Sequence, residues 1–261
     1  MIRANKPPST PKFTVNFANL IVPALIVFLI IMAFAIGMLY TKLQYLENKS
    51  NLVTPPIGQP QAQPPAPTLT SEQLTSLASK GFSRGASDSK VVIIEFADYQ
   101  CPFCARYFSQ VEQPLLKDYV NSGKARFVFR DYAFLGPESL WAAQAARCAG
   151  DQGKFWEYHD YLFNHQGQEN SGAFSKENLK SFARTLRLNQ AQFNSCLDSE
   201  KYKNEVNKDL QDGQTVGVTS TPATFINTKF MAVFNNNTNR WESVGAAPYS
   251  VFQSALEEAL K

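Results

Sequence analysis

The sequence predicts an α/β domain with a helical insertion, preceded by a single transmembrane helix. Three observations lead to this prediction. An uncharged apolar run occupies positions 20–40, and a C-x-x-C motif directly follows the first strand-like run of the remaining chain. The later elements follow the order β-α-β, then a block of helices, then β-β-α. The 261 residues leave room for one large domain or two small ones.

Positions 20–40 are predicted to form a membrane anchor. The run LIVPALIVFLIIMAFAIGMLY carries no charge, and about twenty apolar residues in a helix cross the hydrocarbon core of a bilayer. Arg3, Lys6 and Lys12 precede it without any acid. The positive-inside rule therefore places segment 1–19 in the cytoplasm and everything after the anchor outside. A cleaved signal peptide is the alternative, but the small-residue motif lies inside the apolar run rather than after it.

Segment 41–68 is predicted to be an extended linker. Residues 53–70 read VTPPIGQPQAQPPAPTLT, and proline restricts the backbone and offers no N–H to regular structure. Folded structure should begin at residue 69, so the soluble domain is predicted to span 69–261. The net charge of +3 is too small to indicate a nucleic-acid partner.

The soluble domain is predicted to start with a strand and an active-site helix. Lys90–Phe96 (KVVIIEF) is a β-branched run without helical periodicity, which indicates a buried strand. A helix should begin near Pro102 and kink or end at Pro114, and a second strand is expected at 125–129. A helical insertion should occupy about 138–212. The closing elements are strands at 224–226 and 231–234 and an amphipathic helix at 249–260.

The Cys101-Pro102-Phe103-Cys104 motif carries the predicted chemistry. A cysteine at a helix N-terminus meets unpaired backbone N–H groups, which stabilise a thiolate. Cys101 should therefore be the nucleophile and Cys104, one turn later, its resolving partner. Zinc binding and an inert disulfide are alternatives, but a structural zinc site usually needs a second such pair or two close histidines. We expect a redox-active disulfide, no metal and no further cofactor.

A second motif, TSTPATFI, places Pro222 directly before a strand. An X-Pro bond adopts the cis form at modest cost. A cis bond would turn the backbone of Thr221 toward the C-x-x-C loop, where its N–H and C=O can bind substrate as a short strand. An ordinary trans turn is the alternative.

Four segments together resemble the DsbA-like thioredoxin family: IIEFADYQCPFC, AARCAGDQGKFWEYHDYLF, TSTPATFI and GAAPYSVF. The resemblance implies a thioredoxin-like fold, with Cys101 as attacking thiol and Cys104 as resolving thiol. It also makes Pro222 the cis-proline and Thr221 the residue before it. Glu95 resembles the buried acid that exchanges protons with the resolving thiol; a surface-facing glutamate at the strand end is the alternative.

The chain departs from the family inside the motif. The family's strongest oxidants carry histidine where this chain has Phe103, so we expect a less acidic Cys101 and an intermediate potential. Pro102 and Phe103 join Thr221 and Pro222 as expected substrate contacts. Some relatives bridge the positions of Cys148 and Cys196, which implies a structural disulfide; two buried free thiols are the alternative.

Several aromatic and imidazole side chains have no assigned chemistry. Tyr99, Phe103 and Tyr107 are expected to form an apolar patch for unfolded chains, or else to pack conventionally. His159 is expected to be a packed helix residue, because thiol exchange needs no imidazole.

The resemblance implies an enzyme that introduces disulfides into secreted or envelope proteins, and the predicted anchor makes it membrane-tethered and extracytoplasmic. Its substrates would be unfolded or reduced secreted proteins, and a membrane quinone-linked oxidase of the DsbB or VKOR type would re-oxidise it. The expected location is the cell membrane of a bacterial envelope. A disulfide reductase or isomerase of the same fold is the alternative, and a redox-inert tethered chaperone or binding module is a further one.

Overall fold

The computed structural model describes residues 29, 31–44 and 64–261. They belong to two units, 1–63 and 64–261. In the first unit, residues 31–44 form helix α1, whose apolar side chains are exposed. Among the described residues, no helix is both long and apolar enough to cross a membrane. Most of the predicted linker, all of segment 1–19 and nearly half of the predicted anchor lie outside the described residues.

A five-stranded sheet organises the second unit. Strands β2 (Val91–Ala97) and β3 (Ala125–Asp131) are parallel neighbours at its centre, and the other pairs are antiparallel. Their β-branched and aromatic residues are buried on both sides, as expected for strands covered by helices on each face. In sheet order the strands are β1 (Phe82–Arg84), β3 (Ala125–Asp131), β2 (Val91–Ala97), β4 (Ala223–Ile226) and β5 (Lys229–Phe230).

Helix α2 (Ser71–Lys80) precedes the sheet, and α3 follows β2. Helix α3 runs over 102–120, so it does not end at Pro114, where a kink or an end was predicted. Two π-helical segments, Phe108–Glu112 and Leu116–Val120, flank the proline. A π turn bonds N–H groups to carbonyls five residues back, as Gln113 N–H does to Phe108 O. The wider turn accommodates a proline that would interrupt a regular α-helix.

The predicted helical insertion is confirmed. Its helices are α4 (Pro137–Gly150), α5 (Phe155–Asn164), α6 (Lys176–Thr185), α7 (Gln190–Asp198) and α8 (Lys203–Thr215). Cys148 of α4 and Cys196 of α7 form a disulfide, with their Cα atoms 5.9 Å apart.

The end of the domain differs in detail from the prediction. The last strand of the sheet is β5, whereas residues near the strand predicted at 231–234 form β6 (Ala232–Asn235) in a separate hairpin with β7 (Arg240–Ser243). The carbonyl of Thr224 in β4 still accepts from Met231 N–H, and β6 begins at the next residue. Helix α9 (Tyr249–Ala259) closes the domain.

The two faces of the sheet pack against different helices. Because side chains alternate along a strand, Ile93 and Ala97 face one core cluster while Ile94 and Phe96 face the other. Glu95 lies between Ile94 and Phe96 in sequence and therefore points with Ile93 and Ala97. That face is the one covered by α3, the helix that carries the two cysteines.

Candidate active site

The C-x-x-C motif lies at the junction of β2 and α3. Cys101 is the N-cap of the helix, with an extended backbone, and Pro102 occupies its first turn. The backbone carbonyl of Cys101 accepts from Cys104 N–H at 3.0 Å. Both cysteines are free thiols; Cys101 is 5 % exposed and Cys104 is fully buried. One thiol thus lies at the surface end of the helix and the other one turn inside.

The environment of Cys101 favours its thiolate. Its pKa is lowered from 9.0 to about 6, chiefly by a hydrogen bond from the Cys104 thiol. Burial opposes this effect, and the Thr221 side chain and the backbone N–H groups of Phe103 and Cys104 assist it. The neutral thiol contacts the carbonyl of Thr221 at 3.5 Å. The buried hydroxyl of Thr221 has no partner within the described chain, so it can donate to a thiolate.

The environment of Cys104 instead disfavours its thiolate. Burial raises its pKa well above 9.0, and the interaction with Cys101 and the charge of Glu95 act in the same direction. A buried thiol disfavours its charged form because no water solvates it. The two cysteines therefore differ strongly in acidity, with the outer one as the better nucleophile.

Glu95 is buried and faces the active-site helix rather than solvent. It is 1 % exposed, and its Oε2 has no hydrogen-bond partner within the described chain. Its pKa is raised well above 4.5, first by burial and then by the charges of Glu112 and Cys101. A carboxyl in these surroundings holds its proton more tightly than a solvated one.

The peptide bond between Thr221 and Pro222 is cis. The carbonyl of Pro222 accepts a 2.7 Å hydrogen bond from the Ser243 hydroxyl of the β6–β7 hairpin. No hydrogen bond within the described ranges uses the backbone N–H of Thr221. The loop thus offers one backbone donor beside the Cys101 sulfur.

The expected aromatic patch is wrong for two of its three members. Tyr99 and Tyr107 are 1 % and 0 % exposed, whereas Phe103 is 54 % exposed. The Arg106 guanidinium lies 5.0 Å from the centre of the Phe103 ring. The insertion covers Tyr99, whose ring packs on Phe163 of α5 with centroids 4.9 Å apart, and such packing has no signal in the local sequence.

Two further features near the motif were not predicted from the sequence. The side-chain amide of Gln166 donates to the carbonyls of Tyr99 and Cys101, at 2.7 and 2.9 Å, and so fixes the loop before α3. His159 is a packed helix residue, as expected, but it also belongs to a polar chain. Its Nδ1 lies 3.0 Å from the Tyr99 hydroxyl and its Nε2 lies 3.4 Å from Glu112 Oε2.

Residue types that bind metals meet at Glu112, His159 and Asp160. Arg84, however, extends into the same group, with Nη2 2.8 Å from Asp160 Oδ1 and Nη1 3.9 Å from Glu112 Oε1. The Arg84 guanidinium already lies against both carboxylates, so a metal ion there would meet its positive charge, and these residues do not fit a second cation.

Comparisons with known proteins agree with this geometry. A family profile described as thioredoxin matches residues 78–247. Disulfide bond formation protein D of Bacillus subtilis is 27 % identical over 180 residues, which are 68 % of this chain and 76 % of that protein. The oxidised BdbD structure from Bacillus subtilis superposes with a TM-score of 0.61 at 25 % identity, over 70 % of this chain and 94 % of that one.

The Na⁺/H⁺ antiporter NhaA 1 of Salinispora arenicola matches over only a small part of its own length. It is 32 % identical over 146 residues, or 55 % of this chain, but only 21 % of the antiporter's length is covered. The shared region is therefore a minor part of that longer protein.

Proposed function

The chain belongs to the thioredoxin family, as a thiol–disulfide oxidoreductase of the DsbA and BdbD type, and from that premise we propose that it introduces disulfides into secreted or envelope proteins. The observation that carries this direction is the contrast in acidity between the two cysteines. An oxidant is strong when its reduced form is stabilised, and a thiolate at Cys101 with a pKa of about 6 provides such stabilisation.

The proposed reaction starts from the Cys101–Cys104 disulfide. A substrate thiolate attacks Cys101 Sγ, forms a mixed disulfide and expels Cys104 as a thiolate. Because the pKa of Cys104 is raised by burial, this thiolate takes up a proton, which the protonated Glu95 supplies. A second substrate thiolate then attacks the substrate sulfur of the mixed disulfide and releases Cys101 as a thiolate. The substrate loses two electrons as its disulfide forms, and the cysteine pair gains them.

The loop around Thr221 and Pro222 is the proposed substrate contact. The N–H of Thr221, which has no partner among the described residues, can bind a substrate backbone as an added strand, next to the sulfur that is attacked. The exposed ring of Phe103, together with Pro102 at the start of α3, is the proposed apolar surface for substrate side chains. Unfolded chains expose the apolar side chains that such a surface accepts.

The proposed location is the extracytoplasmic side of a bacterial cell membrane, with residues 20–40 as the anchor. The uncharged run and the three preceding cations support it. A membrane quinone-linked thiol oxidase of the DsbB or VKOR type is the proposed acceptor of the two electrons. Such a partner returns the Cys101–Cys104 pair to its disulfide form after each cycle.

The deciding experiment is the reduction potential of the Cys101–Cys104 pair, measured in a glutathione buffer. We expect a value between those of thioredoxin, about −270 mV, and DsbA, about −120 mV. A value at the thioredoxin end would contradict the oxidase proposal and favour a reductase.

Trapping identifies the substrates. Cys104→Ala removes the resolving thiol, so mixed disulfides through Cys101 should accumulate with secreted proteins. Cys101→Ala is the matched control and should trap none. A double Cys101→Ser/Cys104→Ser variant that retains full activity would instead indicate a redox-inert chaperone.

A further inference from the structure

The loop between α5 and α6 of the insertion reaches the backbone of the attacking cysteine through one side chain. Gln166 lies two residues after the end of α5 and is partly buried. Its Nε2 donates to the carbonyl oxygens of Tyr99 and Cys101, at 2.7 and 2.9 Å. The reaction proposed above gives this contact no part.

The backbone that Gln166 contacts is a tight turn that ends at Cys101. The N–H of Cys101 donates to the carbonyl of Asp98 at 3.0 Å, and the Asp98 side chain accepts from Gln100 N–H at 2.8 Å. Tyr99 lies within this turn, and no other hydrogen bond in the described chain uses its carbonyl. Loss of the Gln166 amide would leave this carbonyl without its partner, which is costly for a buried group.

The carbonyl of Cys101 begins the hydrogen-bond ladder of α3. It accepts from the N–H groups of Cys104 and Ala105, at 3.0 and 3.2 Å, in addition to Gln166. The peptide group that Cys101 shares with Pro102 has no N–H through which it could be fixed. Its carbonyl is therefore held by the first turn of the helix and by the Gln166 amide of the insertion.

The loop that carries Gln166 is itself held in place. Gln100 extends in the opposite direction: its Oε1 accepts from Asn170 N–H at 2.6 Å, and its Nε2 donates to the Ser139 hydroxyl at 2.8 Å. The Glu138 side chain accepts from two further backbone N–H groups of the loop, each at 2.7 Å. Two glutamines thus exchange hydrogen bonds between the active-site turn and the insertion, and both are anchored at their own ends.

This contact favours the thiolate of Cys101 in two ways. The backbone N–H groups of Phe103 and Cys104 stabilise the thiolate, and they can do so only while the N-cap keeps its extended backbone, with φ −71° and ψ 119°. The carbonyl oxygen of Cys101 also carries a partial negative charge only a few bonds from the sulfur. The N–H dipole of the Gln166 amide opposes that charge.

We propose that Gln166 is a positioning residue through which the helical insertion fixes the backbone of Cys101 and favours its thiolate. This inference rests on the proposed function, because a stabilised thiolate makes the reduced form of an oxidant stable. The amide acts through the Cys101 backbone rather than through the sulfur. The insertion is then a part of the active site and not only a cover over Tyr99.

The test is Gln166→Met in the full chain, with the titration of Cys101 as the measurement. Methionine has a similar size but donates no hydrogen bond. The pKa of Cys101 should rise by about one unit from about 6, as expected for the loss of one hydrogen bond. Thiolate absorbance and the rate of alkylation by iodoacetamide, both against pH, measure this shift. At pH 7 the reduced form would become about fivefold less stable, which lowers the reduction potential by about 20 mV.

A merely structural role gives a different result. Gln166→Met would then lower the free energy of unfolding in urea and leave both the pKa of Cys101 and the reduction potential unchanged. Gln100→Met separates loosening of the loop from loss of the donor, because it removes the reciprocal contacts and leaves the Gln166 amide in place. It should shift the pKa of Cys101 by less than Gln166→Met does. An equal shift would assign the effect to the loop as a whole and contradict the role of Gln166.

Two further variants complete the design. Gln168→Met is the matched control: Gln168 is exposed in the same loop, and its side chain makes no hydrogen bond within the described chain, so the Cys101 titration should not change. If Gln166→Met fails to fold, Gln166→Asn replaces it. Asparagine keeps an amide on a side chain one methylene shorter, which no longer reaches both carbonyls, and the pKa of Cys101 should again rise.

A folded Gln166→Met protein with the wild-type titration of Cys101 would overturn the inference. Two ionisable groups, Cys104 and Glu95, interact with Cys101, and neither forms a hydrogen bond with Gln166 in the described chain, so every variant retains both. The titration needs no substrate. It therefore tests Gln166 even if the wild type fails to oxidise reduced proteins, a result that would contradict the proposed function alone.

Discussion

Phe103 is one of the two residues between the active-site cysteines, and its side chain lies outside the hydrophobic core. Its ring is 54 % exposed, so substitution there leaves the core unchanged, while its backbone N–H helps to lower the pKa of Cys101. A phenyl ring carries no charge and donates no hydrogen bond. The acidity of Cys101 in this protein therefore arises from Cys104, Thr221 and the helix N-terminus.

Phe103→His should make the enzyme a stronger oxidant. A protonated imidazole beside the sulfur stabilises the thiolate, so the pKa of Cys101 should fall below about 6. Each tenfold gain in the stability of the reduced form raises the reduction potential by about 30 mV. The measurements are thiolate absorbance against pH and equilibration with glutathione. Phe103→Leu is the control, since it removes the ring without adding charge; an equal potential in both variants would contradict the argument.

At the scale of single residues, the sequence predicted what local spacing determines. Cys101 and Cys104 are three residues apart, and Pro222 directly precedes a strand, so short motifs contain their geometry. Glu112 and His159 are 47 residues apart and meet only because α5 packs against α3. Their contact depends on tertiary packing, for which neither residue carries a sequence signal.

At the scale of helices and strands, too, the sequence predicted only what a local pattern determines. Helical periodicity predicted the insertion, but the helix does not end at Pro114, because π-helical segments on both sides of it accommodate the missing N–H. Hairpin β6–β7 was missed in part because its burial is incomplete, so its strands lack a buried run of apolar residues. The Ser243–Pro222 hydrogen bond nevertheless connects this hairpin to the active site.

The disulfide between α4 and α7 should stabilise the insertion without contributing to catalysis. Cys148 and Cys196 enclose a loop with a sequence separation of 48, for which loop-closure entropy gives about 4 kcal/mol. Replacing both by alanine should lower the free energy of unfolding by up to that amount, measured in urea, and leave disulfide exchange through Cys101 intact. Ser195→Ala, beside Cys196 and exposed, is the control. An unchanged unfolding midpoint would show that the bridge adds no stability.

At the scale of the whole molecule, the reaction requires the second unit to face an oxidising compartment. A disulfide donor in a reducing cytosol would be kept reduced by its surroundings. The unit that begins at residue 64 carries all four cysteines of the chain. The direction in which residues 20–40 insert would therefore decide whether the enzyme can act as an oxidant.

Labelling of intact cells tests this orientation. In a chain with Cys101 and Cys104 changed to Ser, a cysteine at Asn16 should react with a membrane-impermeant maleimide only after lysis, because the positive flank remains in the cytoplasm. A cysteine at the exposed Ser195 should react in intact cells of the same background. Both chains should stay in the membrane after an alkaline wash. Labelling of position 16 from outside would reverse the topology, and a mature protein that starts after residue 40 and is found in the soluble fraction would replace the anchor by a cleaved signal peptide.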